Sequence, residues 1–387
     1  MKKILHTTNV YFTFSYFFGD QLKFFVNKGY DIHISCSPFD GDGQRSLNNL
    51  KKYSIQQGVK FIEFSFLRKL SLFHDLKTMF GLYLYMKVNK FDIVVGHTPK
   101  AALLTMIVSY ILKVPNRIFF RHGLIYENRS GIIKSIMVLI EKLTSYLATT
   151  VVCVSPYVLE KSIRDNLTLR PKLKLLNIGS CNGVDAINQF NQSNISVKKL
   201  SIFQEKYLID NKDFVIGFVG RLVKDKGVTE LVHAFLVLNK RYNNLKLLLI
   251  GPYELKDSLE QETLQIIKGT DNIIEVGSIS ADIEYYYSLM NLFVLPTKRE
   301  GLGTSLLEAS SMNLPVITNG FTGSRDAVIK DFTGLFSEIS IEDLVEKIQF
   351  YILNKEIAIE HGLNGRDHVL NNFEQKVIWN EIEKLYL

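Results

Sequence analysis

Two acidic residues, Glu300 and Glu308, lie eight positions apart in the stretch REGLGTSLLEA, residues 299–309. Glu300 follows an apolar run that predicts a strand, and Glu308 lies on the helix predicted next. Gly301 and Gly303 allow the backbone to approach a ligand closely, and they delay the start of that helix. Because a carboxylate accepts hydrogen bonds from neighbouring hydroxyl groups, the pattern favours a ribose at Glu308 and a sugar ring at Glu300.

The start of this helix, which is predicted over about 303–312, is a candidate phosphate site. The first N–H groups of an α-helix have no acceptor within the helix, and they lie at the positive end of its dipole. The N–H groups of Gly303, Thr304 and Ser305 are therefore predicted to bind a phosphate group.

Two cationic residues, Arg221 and Lys226, follow the predicted strand that ends at Gly220, and a helix is predicted to begin near Gly227. Ligands of open parallel sheets bind at the carboxyl ends of the strands. Arginine offers a planar fork to two oxygens and lysine a compact charge, so the pair suits a diphosphate. The alternative is a solvated turn, which is our interpretation of Lys224.

Two other functions fit parts of this pattern. Paired acids are also found in glycoside hydrolases, but a hydrolase has no need of a phosphate site with Arg221 and Lys226 upstream. The stretch GLGTSL matches part of a dinucleotide-binding fingerprint, but Leu306 stands at its third glycine position and the stretch lies late in the chain. We rank both functions below the binding of a nucleotide diphosphate.

The elements that position these residues alternate between strands and helices, which is typical of an α/β fold with parallel sheets. Strands are predicted over 3–8, 31–36, 60–64, 92–96, 117–120 and 150–154, and again over 213–220, 245–250, 272–276, 292–296, 315–318 and 333–336. A polar stretch at 188–194 predicts a linker. For a chain of 387 residues we therefore predict two Rossmann-like domains facing across a cleft, at 1–190 and 195–371.

Charge is distributed unevenly between the two halves. Residues 1–190 carry 25 Lys and Arg against 12 Asp and Glu, a net +13, whereas residues 191–387 carry 21 against 27, a net −6, and these sum to the overall +7. Such asymmetry indicates a polyanionic partner for the first half, such as nucleic acid, a membrane or a phosphorylated lipid. A lysine-rich composition would not explain the segregation.

The first residues and the cysteines bear on the compartment. His6 and Asn9 interrupt the apolar segment after Lys2 and Lys3, so we expect a strand over 3–8 rather than a secretory signal. No stretch reaches the ~18–20 apolar residues of a membrane span. The three cysteines, Cys36, Cys153 and Cys181, are scattered, so we expect buried thiols in a reducing compartment and a cytoplasmic protein.

Several motifs in the second half resemble those of one family. They are Gly220-Arg221, Asp225-Lys226-Gly227, Glu300 and Glu308 within REGLGTSLLEA, LPVITNGFTGSRDAV at 314–328, and Thr333-Gly334-Leu335. Together they are similar to the nucleotide-sugar half of family 4 glycosyltransferases, which are retaining enzymes of GT-B fold. The resemblance is strong over about 213–340, general over the first half, and closest to the bacterial capsule and O-antigen branch.

The resemblance implies a role for each residue of the pattern. Arg221 and Lys226 would neutralise the donor diphosphate and the leaving nucleotide during catalysis. Glu300, with Gly301, would bind the donor sugar, a hexose or N-acetylhexosamine, and Glu308 the ribose. Gly303, Thr304 and Ser305 would line the phosphates. The donor would be a nucleotide-sugar, commonly a UDP-sugar, with no metal ion required.

The resemblance also implies that the C-terminal helix, within 372–387, packs back on the N-terminal domain. Its apolar residues at helical spacing, including the only tryptophan, Trp379, equally fit an ordinary terminal amphipathic helix.

The first half offers fewer candidates. His122 lies between Arg121 and Gly123 after the strand 117–120, where a similarly placed histidine of related enzymes contacts the donor sugar near the reaction centre. A histidine that caps a strand end is the alternative. Gly19 resembles the glycine of the first loop of the fold. His97 and Lys100, after the strand 92–96, are candidates for the acceptor side. Gly19, His97 and Lys100 fit plain loops equally well.

The acceptor in this branch is often a sugar linked through diphosphate to a polyprenol, or another oligosaccharide. The basic and apolar surface around Ile132–Leu147, with Arg117, Arg121, Arg129, Lys134 and Lys142, could contact an anionic membrane. We therefore expect a peripheral protein at the inner face of the cytoplasmic membrane. A core helix with a solvated basic edge fits the helix equally well.

Asp40 and Asp42 form an Asp-x-Asp pair, which binds metal in the other large glycosyltransferase fold. Because the pair lies far in sequence from the phosphate site, we interpret it as a polar turn and expect no metal site.

Three rival functions fit some of these features. A nucleic-acid binder would account for the charge of the first half but not for Glu300 and Glu308, and no aromatic-basic motif is present. A nucleotide-sugar epimerase of GT-B fold would bind the same donor without an acceptor. A non-catalytic nucleotide-sugar-binding protein is expected to lack one of the four key side chains, and all four are present. Because no aromatic-basic motif is present, we expect no nucleic-acid partner.

Overall fold

The computed structural model describes residues 1–11, 13–14, 18–38, 47–67, 71–254 and 258–387, and the chain divides into two compact units. Unit 1 comprises Met1–Asn182 together with Ile378–Leu387, and unit 2 comprises Gly183–Val377.

The division differs from the predicted boundary near 190. The residues after Asn182 belong to unit 2 because its side chains hold their backbone. The Ser311 hydroxyl donates a hydrogen bond to the carbonyl of Phe190 at 2.6 Å, and the Arg366 guanidinium donates to the carbonyls of Phe190 and Ala186 at 3.1 and 3.2 Å. The polar composition of 188–194 therefore marks an ordered turn region rather than a linker.

Unit 1 is a seven-stranded sheet with helices on its faces. Its elements are β1 (Lys3–Val10), α1 (Gln21–Asn27), β2 (Asp31–Ser37), α2 (Leu47–Gln57), β3 (Lys60–Glu63), α3 (Leu72–Asn89), β4 (Ile93–Gly96), α4 (Pro99–Ile111), β5 (Asn116–Arg121), α5 (Gly131–Leu147), β6 (Thr150–Cys153), α6 (Pro156–Arg164) and β7 (Leu173–Leu175). The strand order is β3-β2-β1-β4-β5-β6-β7 and every pairing is parallel.

Unit 2 repeats this plan with six strands. Its elements are α7 (Val197–Lys206), β8 (Phe214–Val219), α8 (Val228–Asn239), β9 (Leu245–Ile250), α9 (Gln261–Gly269), β10 (Ile273–Gly277), α10 (Ile283–Ser288), β11 (Leu292–Leu295), α11 (Thr304–Ser311), β12 (Val316–Asn319), β13 (Gly334–Ser337), α12 (Ile341–Leu353), α13 (Lys355–Asn372) and α14 (Gln375–Tyr386), whose last part returns to unit 1. The strand order is β10-β9-β8-β11-β12-β13, again all parallel.

The sequence forms these sheets because the strands are continuous apolar runs. Strands such as β4 and β11 are buried along their whole length, as expected for parallel strands that helices cover on both faces. In each sheet the strand order reverses once, between β1 and β4 in unit 1 and between β8 and β11 in unit 2. Loops that follow these central strands meet at the same sheet edge, where ligands of such sheets bind.

Helix α14 completes the core of unit 1. Ile378, Trp379, Ile382 and Tyr386 are buried in the same apolar cluster as Phe25 of α1. The indole N–H of Trp379 donates a hydrogen bond to the Asn182 side chain at 2.8 Å. The part of the C-terminal segment that packs on unit 1 begins at Ile378, so 372–377 stay with unit 2.

Two further properties concern the described ranges. None of the helices there has both the length and the apolar character to cross a membrane. Cys36, Cys153 and Cys181, which all lie in the described part of the chain, form no disulfide, and the first two are buried.

Candidate functional site

The loop after β8 carries Arg221 and Lys226 and lies against the end of β11. Gly227 makes this approach possible because its φ is +70° and a Cβ there would lie 2.0 Å from the carbonyl oxygen of Pro296. Only glycine combines this backbone conformation with so close a contact. Gly227 also caps α8, so the strand–loop–helix geometry predicted around Lys226 is the one that forms.

Lys226 forms a salt bridge with Glu300, and both side chains are mostly buried. The two loops are joined a second time through Asp225. Its carbonyl accepts the N–H of Lys298 at 2.7 Å, and its carboxylate accepts a hydrogen bond from the Arg299 guanidinium at 2.9 Å. The loop after β8 and the loop after β11 are therefore held as one unit. Sequence analysis selected Lys226 and Glu300 separately, and the structure brings them into direct contact.

The loop that carries Glu300 also packs against the segment that follows β12. The N–H of Gly323 donates to the carbonyl of Glu300 at 3.1 Å, and a Cβ on Gly323 would lie 2.1 Å from the carbonyl oxygen of Gly301. The Gly301 N–H contacts the Glu300 carboxylate at 3.3 Å. These contacts, which are all within the chain, orient Glu300.

Helix α11 begins where the sequence predicts a phosphate site. Gly303 has φ +81° and stands immediately before the helix, and Thr304 and Ser305 are partly exposed in its first turn. The first turn of a helix presents N–H groups and the positive end of the dipole. The helix start is therefore found where the sequence predicts it, and the binding of a phosphate there stays a prediction.

Glu308 lies one turn further along α11 and has a partner that sequence analysis missed. The hydroxyl of Tyr287, which is fully buried on α10, donates a hydrogen bond to the Glu308 carboxylate at 2.7 Å. Burial raises the pKa of Glu308 to about 7, and the Tyr287 hydrogen bond opposes this shift. The run of three tyrosines at 285–287 before β11 is the only sequence signal for this contact.

Arg221 also has a partner that sequence analysis missed. Its guanidinium donates to the carboxylate of Glu254 at 2.7 Å, and both side chains are about one-third exposed. Glu254 lies in the loop after β9, the strand next to β8, so the pair follows from the sheet order.

In unit 1, His122 lies directly after β5 at the end of a line of imidazoles. His6 Nδ1 is 3.0 Å from His97 Nε2, and His97 Nδ1 is 3.4 Å from His122 Nε2. Burial lowers the pKa of His6 to about 3 and that of His122 to about 4, and it places the pKa of His97 well below its usual value. The three rings are therefore neutral at pH 7.

The assignment of His97, Lys100 and Gly19 to the acceptor side stays a prediction, and the structure gives their surroundings. His97 is buried between the two other imidazoles, and Lys100 forms a salt bridge with Asp75 of α3 at 2.8 Å. His97 is thus buried within unit 1, whereas Lys100 is partly exposed. Gly19 is exposed and has φ +46°, so a glycine suits its turn.

Arg121 does not belong to the basic surface predicted for the first half. It is almost fully buried, and its guanidinium contacts Glu141 at 2.9 Å, Ser145 at 2.6 Å and Ser162 at 2.8 Å. The side chain points into the layer between β5 and α5 because Glu141 and Ser145 face it there. Arg117 is half-buried and donates to the carbonyl of Leu147 at 2.7 Å. Both arginines have a structural role, whereas Arg129, Lys134 and Lys142 are exposed as predicted.

Within the described ranges, no three His, Cys, Asp or Glu side chains are grouped so as to hold a metal ion. Asp40 and Asp42 lie outside the described residues.

Comparison with known proteins places these features in a family. Residues 201–368 match the family described as Glycosyl transferases group 1, and residues 4–155 match Glycosyl transferase 4-like. Over its full length the chain is 34% identical to the capsular polysaccharide biosynthesis glycosyltransferase CapM of Staphylococcus aureus, of which it covers 97%. The chain belongs to the group 1 glycosyltransferases. The family expected from the motifs at 213–340 is thus confirmed.

Two further comparisons are informative for this glycosyltransferase. It is 22% identical to the UDP-Gal:alpha-D-GlcNAc-diphosphoundecaprenol alpha-1,3-galactosyltransferase of Escherichia coli, over 95% of this chain and 91% of that one. The crystal structure of Anabaena HepE in complex with UDP and glucose superposes with a TM-score of 0.79 at 18% identity, over 99% of both chains. The predicted GT-B architecture of two Rossmann-like units is confirmed.

Proposed function

We propose that this glycosyltransferase moves a sugar from a UDP-sugar to a glycan carried on a polyprenyl diphosphate, in the assembly of a surface polysaccharide such as a capsule. The relative CapM is named for capsular polysaccharide biosynthesis, and the Escherichia coli relative for UDP-Gal and a diphosphoundecaprenol acceptor. The observation that carries the proposal is the Lys226–Glu300 pair on loops held together beside α11.

The proposed chemistry begins with departure of the nucleotide diphosphate. Negative charge develops on the diphosphate as the sugar–phosphate bond lengthens, and preorganised cations stabilise it. Lys226 exchanges its contact with Glu300 for the diphosphate, Arg221 supplies a second cation, and the first N–H groups of α11 complete the site. We propose that these groups supply the charge, so that a metal ion is not required.

The sugar and the ribose are assigned to the acids. Glu300, released from Lys226, accepts hydrogen bonds from the donor-sugar hydroxyls, and Glu308 accepts them from the ribose. From the family resemblance we also propose that His122 binds the donor sugar. We propose a hexose or N-acetylhexosamine as the transferred group, with retention of configuration, which is what the family resemblance implies.

A membrane surface is proposed as the place of reaction because two helices of unit 1 expose apolar faces. Helices α3 and α5 both pack against α4, so the three lie side by side. Their exposed apolar residues are Leu72, Phe73, Leu76, Phe80, Leu84 and Val88 on α3, and Ile132, Ile133, Ile136, Leu139, Leu143 and Tyr146 on α5. Sequence analysis identified the α5 part of this surface and missed the α3 part.

The charges on these two helices favour an anionic membrane. Their exposed charged residues are all lysines: Lys77, Lys87, Lys134 and Lys142. The acids of the same helices are paired inside unit 1, Asp75 with Lys100 and Glu141 with Arg121. Apolar side chains flanked by lysines bind the interface of anionic lipid bilayers. We propose peripheral attachment at the inner face of the cytoplasmic membrane.

The donor assignment is tested by calorimetric titration of UDP, GDP and ADP in the presence of EDTA. UDP is expected to bind most tightly, and Lys226→Met to weaken its binding about 10- to 100-fold through loss of a buried charge contact. Lys224→Met is the matched control, since Lys224 lies two residues away and pairs with exposed Glu260. If no nucleotide binds to the folded protein, the proposal is wrong.

The reaction itself is tested with UDP-sugars and a lipid-diphosphate acceptor. Transfer releases UDP only when acceptor is present, whereas an epimerase converts the UDP-sugar without acceptor. Binding without either product would identify a non-catalytic protein.

Membrane attachment is tested by sedimentation with vesicles of phosphatidylglycerol and phosphatidylcholine. Phe73→Ser/Phe80→Ser on α3 is expected to reduce binding, whereas Ile55→Ser is not, because the equally exposed Ile55 lies on α2. Equal binding by all three proteins would exclude the α3 face.

A further inference from the structure

Tyr287 is fully buried on α10, and its hydroxyl is held beside the start of α11. It donates a hydrogen bond to Glu308 Oε2 at 2.7 Å, and the same hydroxyl oxygen lies 3.4 Å from the carbonyl oxygen of Ser305 in the first turn of α11. The ring of Tyr287 contacts Phe190 at a centroid distance of 6.0 Å and Phe293 of β11 at 5.7 Å. The position of the hydroxyl is therefore fixed by packing within unit 2.

The direction of this hydrogen bond follows from the chemistry of its two groups. An ionised carboxylate only accepts hydrogen bonds, so the hydroxyl must donate. Tyr287 keeps its hydrogen because burial and the neighbouring Glu308 raise its pKa well above the usual value. The bond occupies Oε2, and in the described part of the chain Oε1 has no hydrogen-bond partner. Because Glu308 is partly exposed, Oε1 is left to accept a hydrogen bond from a ligand.

The other groups around Glu308 leave Tyr287 as its partner. Helix α11 packs against β11, β12, the short segment after β12, and α13. The partly buried arginines there have other partners, since Arg325 is paired with Asp326 at 3.5 Å and Arg366 donates to backbone carbonyls. Within the described ranges, the pKa of Glu308 is raised by burial and lowered by the Tyr287 hydrogen bond, and no ion pair contributes.

We propose that Tyr287 is a positioning residue that holds Glu308 with one oxygen available to the ribose, and that the pair thereby makes the site selective for ribonucleotides. This inference rests on the proposed function, in which Glu308 binds the ribose. Without the Tyr287 hydrogen bond, the carboxylate is free to rotate and a larger fraction of it is protonated at neutral pH. A protonated carboxyl group is the weaker acceptor for a hydroxyl. The contribution of Tyr287 is therefore confined to the ribose, whereas Arg221 and Lys226 bind the diphosphate.

The hydrogen bond is tested without any ligand, through the pKa of Glu308. ¹³C NMR of the full chain labelled at the glutamate carboxyl carbons follows the titration, and the Glu308 resonance is the one absent in Glu308→Gln. Tyr287→Phe is expected to raise this pKa above the wild-type value of about 7, because the bond that lowers it is gone. Tyr286→Phe is the matched control, since it removes the neighbouring hydroxyl, which contacts that of Tyr207 at 3.1 Å. An unchanged Glu308 pKa in Tyr287→Phe would overturn the proposal.

Selectivity is tested by calorimetry at pH 7 with UDP, 2′,3′-dideoxy-UDP and inorganic pyrophosphate. Tyr287→Phe is expected to weaken UDP binding about 3- to 10-fold and to leave the other two ligands unchanged, because only UDP offers ribose hydroxyls to Glu308. Tyr286→Phe is expected to bind all three ligands like the wild type. Equal weakening of all three ligands by Tyr287→Phe would show a structural effect on the start of α11. That result, or unchanged UDP binding, would overturn the proposal.

Kinetics of sugar transfer separates the ribose contact from the reacting bond. Tyr287→Phe is expected to raise KM for the UDP-sugar by the same factor as the UDP affinity falls, with kcat within about twofold of the wild type. The reason is that the ribose does not react, so the contact is equally strong before and at the transition state. A fall in kcat with unchanged KM would contradict this role. If the wild type binds no nucleotide, the proposed function fails, while the Glu308 pKa still decides whether Tyr287 holds the carboxylate.

Discussion

The ammonium group of Lys226 and the carboxylate of Glu300 form a salt bridge although 74 positions separate them in the sequence. In the proposed function Lys226 binds the diphosphate and Glu300 binds the sugar, so we expect the pair to open when the donor binds. Under that proposal Glu300 competes with the diphosphate for Lys226. Substitution of Glu300 is therefore expected to affect UDP affinity and the rate of sugar transfer in different ways.

Glu300→Gln is expected to bind UDP as tightly as the wild type or up to about tenfold more tightly. The reason is that UDP binding no longer has to break an ion pair of Lys226. Sugar transfer by the same variant is expected to fall about 100-fold or more, because the acceptor of the sugar hydroxyls is weakened. Calorimetry with UDP and a transfer assay measure the two effects. A large loss of UDP affinity in Glu300→Gln would contradict the competition.

Gly227 sets the position of Lys226, and its replacement has a defined cost. Gly227→Ala forces a Cβ against the Pro296 carbonyl in a left-handed conformation, so we expect a destabilisation of about 2–4 kcal/mol. Gly269→Ala is the control, since nothing lies within 4 Å of a Cβ there at the end of α9. The control is expected to be neutral or stabilised by up to about 1 kcal/mol. Urea unfolding of both variants measures the difference.

Glu308 makes stability depend on pH. Because its pKa is raised from 4.5 to about 7, the folded state holds the proton more tightly than the unfolded state. The stabilisation is full below pH 4.5 and is lost as pH rises through 7. Relative to Glu308→Gln, the wild type is expected to lose up to about 3 kcal/mol between pH 4.5 and 8. Parallel pH profiles of the two proteins would exclude a raised pKa.

The same group is expected to couple ribose binding to pH. An ionised carboxylate accepts hydroxyl hydrogen bonds better than a protonated one. The ratio of UDP affinities, wild type to Glu308→Gln, should therefore rise as pH increases through 7. The ratio removes the titration of UDP itself, which is common to both proteins. A ratio that falls with pH would contradict the assignment of Glu308 to the ribose.

The sequence predicts the fold well because apolar strands and the loops after them are local features. Each strand predicted in the two halves is found, while β7 (Leu173–Leu175) was missed because three residues at a sheet edge give too short a pattern. Partners such as Glu254 and Tyr287 were missed for another reason. They meet Arg221 and Glu308 only through the order of the strands, which residue types alone do not specify.

Arg121 shows how a single residue type misleads. An arginine at a strand end looks the same in sequence whether it faces solvent or the interior. The missing signal lay on α5, where Glu141 and Ser145, four positions apart, interrupt an apolar helix on the face that meets Arg121. The contacts between His6, His97 and His122 could not be predicted from the sequence for a similar reason. These residues meet because β1, β4 and β5 are neighbours in the sheet, although they are distant in the chain.

The Arg121–Glu141 salt bridge is almost fully buried, so each charge depends on the other. Arg121→Met leaves the buried Glu141 without its guanidinium partner, so we expect a loss of about 3–5 kcal/mol in the free energy of unfolding. Arg121→Met/Glu141→Leu is expected to recover most of this loss, because no charge is then left without a partner. Urea unfolding measures both.

Vesicle binding by the double variant should equal that of the wild type, whereas Lys134→Ala/Lys142→Ala, which removes exposed charge, should bind anionic vesicles more weakly. A double variant that folds but loses vesicle binding would return Arg121 to the membrane surface and contradict its interior role.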